Sequence, residues 1–135
     1  MTRIVYTSGY KYQLRYSYFC HTNITGYAVS IDYLALGTNG ILYIDKGYAW
    51  DGPSGPTIDT KTFMRGSLVH DALYQLMRKK KLPPRFKAEA DHLLRAMCLE
   101  DGMNPIRAWW VYEGVNWFGK NSTLPENAKV IEGAP

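Results

Sequence analysis

Residues 47–59, Gly47-Tyr48-Ala49-Trp50-Asp51-Gly52-Pro53-Ser54-Gly55-Pro56-Thr57-Ile58-Asp59, divide the chain into two halves of different character. Glycine and proline fill four of the five positions 52–56, which precludes regular structure there. The fixed φ of proline nevertheless keeps such a loop stiff. A stiff loop carrying Trp50, Asp51 and Ser54 is good scaffolding for a site.

The half before this loop reads as β-structure. Tyr10, Tyr12, Leu14, Tyr16, Tyr18 and Cys20 alternate with Lys11, Gln13, Arg15 and Ser17, a period of two. Val29, Ile31 and Tyr33 repeat the pattern, and Leu34–Leu36 leads through Gly37-Thr38-Asn39-Gly40 into Ile41–Ile44. Asn-Gly between β-formers signals a hairpin, because both residues tolerate positive φ. Nine of the eleven tyrosines precede residue 49. Tyrosine suits a half-buried sheet face with its hydroxyl at the water boundary, so a stacking platform is not needed to explain them and nucleic acid is not expected as a partner.

The half after the loop reads as three helices. The first is expected from Asp59 or Thr60, both good caps, to about Lys80, with Phe63, Val69, Leu73, Leu76 and Met77 as its apolar face. The second is expected over about Pro84 to Asp101, with Phe86, Ala90, Leu93, Leu94 and Met97 inward and Gly102 as its stop. The third has Asn104 as cap, Pro105 at the first helical position and Gly119 past its end. Trp109, Trp110, Tyr112, Val115 and Phe118 make it strongly apolar, which predicts a central place, and Gly114 predicts close approach of another element. The fold class is therefore α+β: antiparallel strands with a hairpin, then a three-helix half packed on them. A single domain spans 1–119, and 120–135 is a polar surface tail.

The chain has 135 residues, 46% apolar and 21% charged, enough for one core without staples. No apolar run approaches the ~18 residues of a membrane span, and the first residues lack a secretory pattern. Cys20 and Cys98 are far apart with no metal-ligand spacing, which favours free thiols in a reducing compartment. A cytoplasmic location follows, with no membrane partner. Of the formal charge of +4, much is local: Arg78, Lys79, Lys80, Lys81, Arg85 and Lys87 crowd one stretch. Lysines at a helix end offset its dipole; the same cluster would also attract a phosphorylated ligand.

His70-Asp71 in the middle of the first helix is the sharpest chemical feature. Asp is disfavoured in helix interiors, and Leu68, Val69, Ala72 and Leu73 around it are apolar. A buried carboxylate needs a partner. Adjacent helical residues point about 100° apart, so the pair can converge only on something lying between their directions. His70 and Tyr74 share a face at i, i+4. Asp91 puts a carboxylate on the second helix, and antiparallel packing would bring it to the His70/Asp71 turn. With Asp51, these residues make a mixed N/O set suited to one Zn²⁺, Mn²⁺ or Mg²⁺ ion. The alternative is a hydrogen-bonded hub that locks loop to helices.

Gly47-Tyr48, Asp51-Gly52-x-Ser54-x-Pro56, His70-Asp71-x-Leu73-Tyr74, Ala90-Asp91 and Gly114 to Gly119 together resemble an uncharacterised phage and prophage family, domain of unknown function 1353, over roughly residues 25–119. The chain departs from that pattern at Trp50, where the family generally has Thr, and in lacking the arginine just ahead of the final Phe-Gly. The resemblance implies a bacteriophage setting among tail, assembly or lysis genes, hence the host cytoplasm or the virion, but brings no activity.

The residues lead to a small hydrolase acting on a phosphorylated or nucleotide-like molecule. His70, Asp71 and Ser54 are its candidate catalytic groups, and Trp50, Tyr74, Lys79 and Lys80 its candidate substrate contacts. His70, Asp71, Asp91 and Asp51 would hold a metal that activates water; without metal, His70 is the general base and Ser54 positions substrate or attacks. Two rivals stand beside it: a binding protein that sequesters a small nucleotide signal, and a virion or tail-assembly component in contact with other virion proteins.

Overall fold

The computed structural model describes residues 4–7, 12–50 and 61–118. The fold is α+β, with seven short strands followed by three helices among the described residues. The chain divides into two compact units, one holding the strands and the other the helices. The proposed caps Asp59 and Thr60, the loop residues Asp51 and Ser54, and the 120–135 tail lie outside the described residues.

The strands form two antiparallel sheets. In the smaller, β2 (Tyr12–Leu14) lies between β1 (Tyr6–Thr7) and β7 (Ala49–Trp50). In the larger, the order is β3 (Tyr18–His21), β6 (Ile41–Ile44), β5 (Leu34–Leu36), β4 (Val29–Ile31). Pairing of Tyr18 with Ile44 and Ile44 with Leu34, and of Cys20 with Leu42 and Leu42 with Leu36, puts six buried side chains on one face. The Phe19–Tyr43 pair falls on the other face and is partly exposed. One face apolar and one wet is the antiparallel pattern.

The long alternation from Tyr10 to Cys20 is not one strand. It breaks at Arg15–Ser17, where Tyr16 is exposed, and the segments on either side enter different sheets. Tyr33 likewise leaves the pattern: it sits in the β4–β5 turn at φ +70°. The Asn39-Gly40 hairpin joins β5 to β6 as expected, but only Gly40 takes positive φ, at +86°. Asn39 instead uses its side chain, whose Oδ1 accepts the Ile41 N–H at 3.1 Å. Gly40 N–H donates to the Gly37 carbonyl at 3.0 Å, and Gly37 N–H to that of Ile41 at 3.0 Å.

In the helical unit, α1 spans Lys61–Arg78, α2 spans Lys87–Glu100 and α3 spans Pro105–Phe118. Pro84–Phe86 forms a 3₁₀ turn, so α2 starts a turn later than expected. Phe63, Val69, Leu73, Leu76 and Met77 are all buried. α1 and α2 run antiparallel: Arg65 pairs with Asp101 near one end and Tyr74 with Asp91 toward the other. They cross closely at Gly66, where an added Cβ would lie 2.9 Å from Leu94 Cδ1 and 3.3 Å from Cys98 Sγ.

Two expectations for α3 are corrected. A Cβ at Gly114 would meet nothing within 4 Å, so the close approach belongs to Gly66 and not to Gly114. α3 is also not central. Ala108 and Val111 are buried against α1 and α2 side chains, whereas Ile106, Trp109 and Trp110 are 70%, 46% and 66% exposed. Neighbouring tryptophans point about 100° apart, so one contact face cannot bury them both together with Val111.

Candidate functional site

Two side chains of α1, His70 and Tyr74, meet the middle of α2 at Asp91. Its side chain is 0% exposed. On α1, His70 and Tyr74 share a face one turn apart, and both reach the same oxygen. His70 Nε2 lies 2.7 Å from Asp91 Oδ1, and the Tyr74 hydroxyl donates to that oxygen at 2.5 Å. Their rings lie 4.0 Å apart between centroids, tilted by 41°. On α2 itself, Lys87 Nζ donates to the other oxygen, Oδ2, at 2.6 Å from the i−4 position.

The electrostatics follow from this geometry. Burial works to raise the Asp91 pKa, but the hydrogen bonds from His70, Lys87 and Tyr74 outweigh it and hold the carboxyl below its ordinary value. Tyr74 moves the other way. Burial, and then the bond to an acceptor that is already negative, push its phenol well above the usual range. Tyr74 is therefore a fixed donor and Asp91 a fixed anion.

His70 keeps 13% of its side chain exposed, so the ring bridges a buried carboxylate and the surface. With Nε2 bonded to Asp91, Nδ1 is the nitrogen left to take a proton. An imidazole held through one nitrogen by a carboxylate can accept a proton on the other, and the resulting imidazolium is stabilised by the carboxylate.

The structure thus joins His70, Tyr74 and Asp91 from the candidate residues. Asp71 does not share this cluster; its carboxylate faces Arg78, 3.9 Å away, on the same helix. Trp50 is buried in the small sheet, with its ring 5.9 Å from that of Tyr6 and 5.7 Å from that of Tyr12. Lys79 and Lys80 are exposed at the end of α1. Among the described residues no three His, Cys, Asp or Glu side chains are grouped to hold a metal, and Asp51 and Ser54 lie outside those residues.

Two participants escaped the sequence reading. Lys87 falls within the cationic run, although its i, i+4 spacing to Asp91 is the signal that singles it out. Arg65 is the other. Its Nε and Nη2 each lie 3.0 Å from a carboxylate oxygen of Asp101, and Nη2 lies 2.8 Å from Glu100. This fork, in which Arg65 alone is buried, holds the far end of the α1–α2 pair. Beside it, burial and then the Asp101 charge push the Cys98 thiol up to about 12, which leaves it protonated and inert.

Fold and site together define an α+β protein with a His–Asp centre between two antiparallel helices. The chain belongs to the family described as "Protein of unknown function (DUF1353)", whose model matches residues 29–115. That span runs from the first residue of β4 into the last turn of α3 and includes all the candidate residues. No curated protein and no solved structure matches the chain. No helix among the described residues is long and apolar enough to cross a membrane.

Proposed function

We propose that this protein is a hydrolase of small phosphorylated or nucleotide-like molecules in which His70 is the general base and Asp91 orients it. One observation carries the reading: the 2.7 Å bond between His70 Nε2 and a fully buried, ionised Asp91. Holding a buried carboxylate against an imidazole that still reaches the surface fits a base better than a packing contact alone. Nδ1 would take the proton of a water as that water attacks phosphorus. The leaving oxygen departs with its bond pair, and the imidazolium returns the proton to it. The exposed Lys79 and Lys80 at the end of α1 favour an anionic substrate.

The metal route has less support, because the Lys87 ammonium already supplies positive charge at Asp91 Oδ2. The full chain should be incubated with nucleoside mono-, di- and triphosphates and a generic phosphodiester, with and without added divalent ions. Turnover independent of metal is expected, falling by roughly 10²–10⁴-fold in His70→Gln. Undiminished turnover in His70→Gln would defeat the assignment. Nucleotide retained without turnover would replace it with the sequestering protein, and abolition by a chelator would restore the metal.

A further inference from the structure

The ammonium of Lys87 has three protons to donate, and the structure offers it three acceptors. One is Asp91 Oδ2 at 2.6 Å; the others are the carbonyl oxygens of Val115 and Asn116, at 3.4 and 3.3 Å. Those carbonyls belong to the last turn of α3, whose final C=O groups have no intrahelical partner and sit at the negative end of the helix dipole. Lys87 therefore caps one helix from another. With the same atom it occupies the only oxygen of Asp91 that neither His70 nor Tyr74 uses.

We propose that Lys87 is a positioning residue for His70: through Asp91 it fixes the imidazole, and through the Val115 and Asn116 carbonyls it makes that setting depend on the last turn of α3. This rests on the reading of His70 as a base, and adds to it a control element remote from the reacting atoms. The physical reason is rotational. With Oδ2 tied to Lys87, the Asp91 carboxylate cannot turn about its Cβ–Cγ bond, so Oδ1 stays toward His70. Without Lys87, either oxygen can serve, and the buried anion keeps donors from α1 alone. An exposed cation would merely add charge; this one is 17% exposed and has no proton left over.

The test reads the His70 ring directly, so it stands or falls independently of any turnover. Ring ¹⁵N signals of the full chain, which has three histidines, should show one neutral tautomer at His70, with the proton on Nε2. In Lys87→Met, the Nε2–H signal should shift and broaden as its acceptor oxygen is no longer fixed, and amide exchange in the last turn of α3 should speed up while α1 keeps its protection. Lys87→Gln serves if the methionine variant does not fold, and the same shift is expected. As a second arm, Asn116→Pro disrupts the last turn of α3 with the Lys87 side chain itself unchanged, and should reproduce the His70 change. A His70 spectrum superimposable on wild type in the Lys87 variants would overturn the positioning role. A shift in those variants but not in Asn116→Pro would overturn the link to α3.

Discussion

Asp91 has no surface of its own in water, so its charge is maintained by three side chains, one of them a cation. Its pKa is depressed in the folded state. The stability it contributes is therefore fully present above the unfolded carboxylate value, and is lost as pH falls through the lower folded one. Asp91→Asn removes the anion but keeps the shape, and leaves the Lys87 cation without its counter-charge. The expected cost at pH 7 is about 3 kcal/mol in urea unfolding. The gap to wild type should narrow once pH drops below about 4; an equal gap at pH 7 and pH 3 would show that the charge contributes nothing. At this scale the sequence was partly legible. His70, Tyr74 and Asp91 stood out as polar residues on apolar helix faces. Asp71 looked equivalent to Asp91 and is not, because its direction along α1 takes it to Arg78. Which of two adjacent side chains meets the neighbouring helix depends on the rotation of α1 about its axis, which no local pattern encodes.

Helix ends obey local chemistry, and the start of α3 and the end of α2 were legible, while the proposed α1 caps and the Gly119 stop lie outside the described residues. Asn104 Oδ1 accepts the Ile106 N–H at 2.8 Å, and Pro105 opens α3 where its missing N–H costs nothing. α2 closes with Gly102 at φ +98°, whose N–H donates to the Leu99 carbonyl while that of Met103 donates to Cys98. α1 closes in the same way, with Lys80 N–H to Met77 and Lys81 N–H to Leu76, but the left-handed position is held by a lysine at φ +62°. A side chain there is disfavoured by about 1–2 kcal/mol. Lys80→Gly should therefore stabilise the chain by about 1 kcal/mol and raise its Tm, even after the extra freedom glycine gives the unfolded state. A lower Tm would mean that the lysine side chain itself holds the turn. The misreadings at this scale share a cause. The Tyr10–Cys20 alternation gives the period of β-structure but not where one strand ends, and the apolar length of α3 predicts a central place it does not take. A strand can change sheets without changing its period, and a helix apolar on several sides can bury only one of them.

For the whole molecule, composition and the division at residues 47–59 were enough to read the α+β class and its order of elements. The short link between α1 and α2 allows the antiparallel packing that the structure shows. The sheet partners were not legible, because pairing between distant strands leaves no trace in either strand alone. That distance bears on the order in which the fold assembles. Gln13 Nε2 donates to the carbonyl of Gly47, 34 positions along the chain. Leu14 N–H donates to Tyr48 and Gly47 N–H to Leu14 across the same junction. The β5–β6 hairpin closes within a few residues, whereas the β2–β7 closure must first gather the entire larger sheet into its loop. The entropic difference is on the order of 2 kcal/mol, and it falls on the rate of folding. In pulse-labelled refolding, the amides of Gly37 and Gly40 should become protected before those of Leu14 and Gly47. Simultaneous protection would mean that the two sheets condense in one step. During synthesis the same constraint is one of sequence order: β1 and β2 leave the ribosome first, but the smaller sheet stays incomplete until Trp50 has emerged.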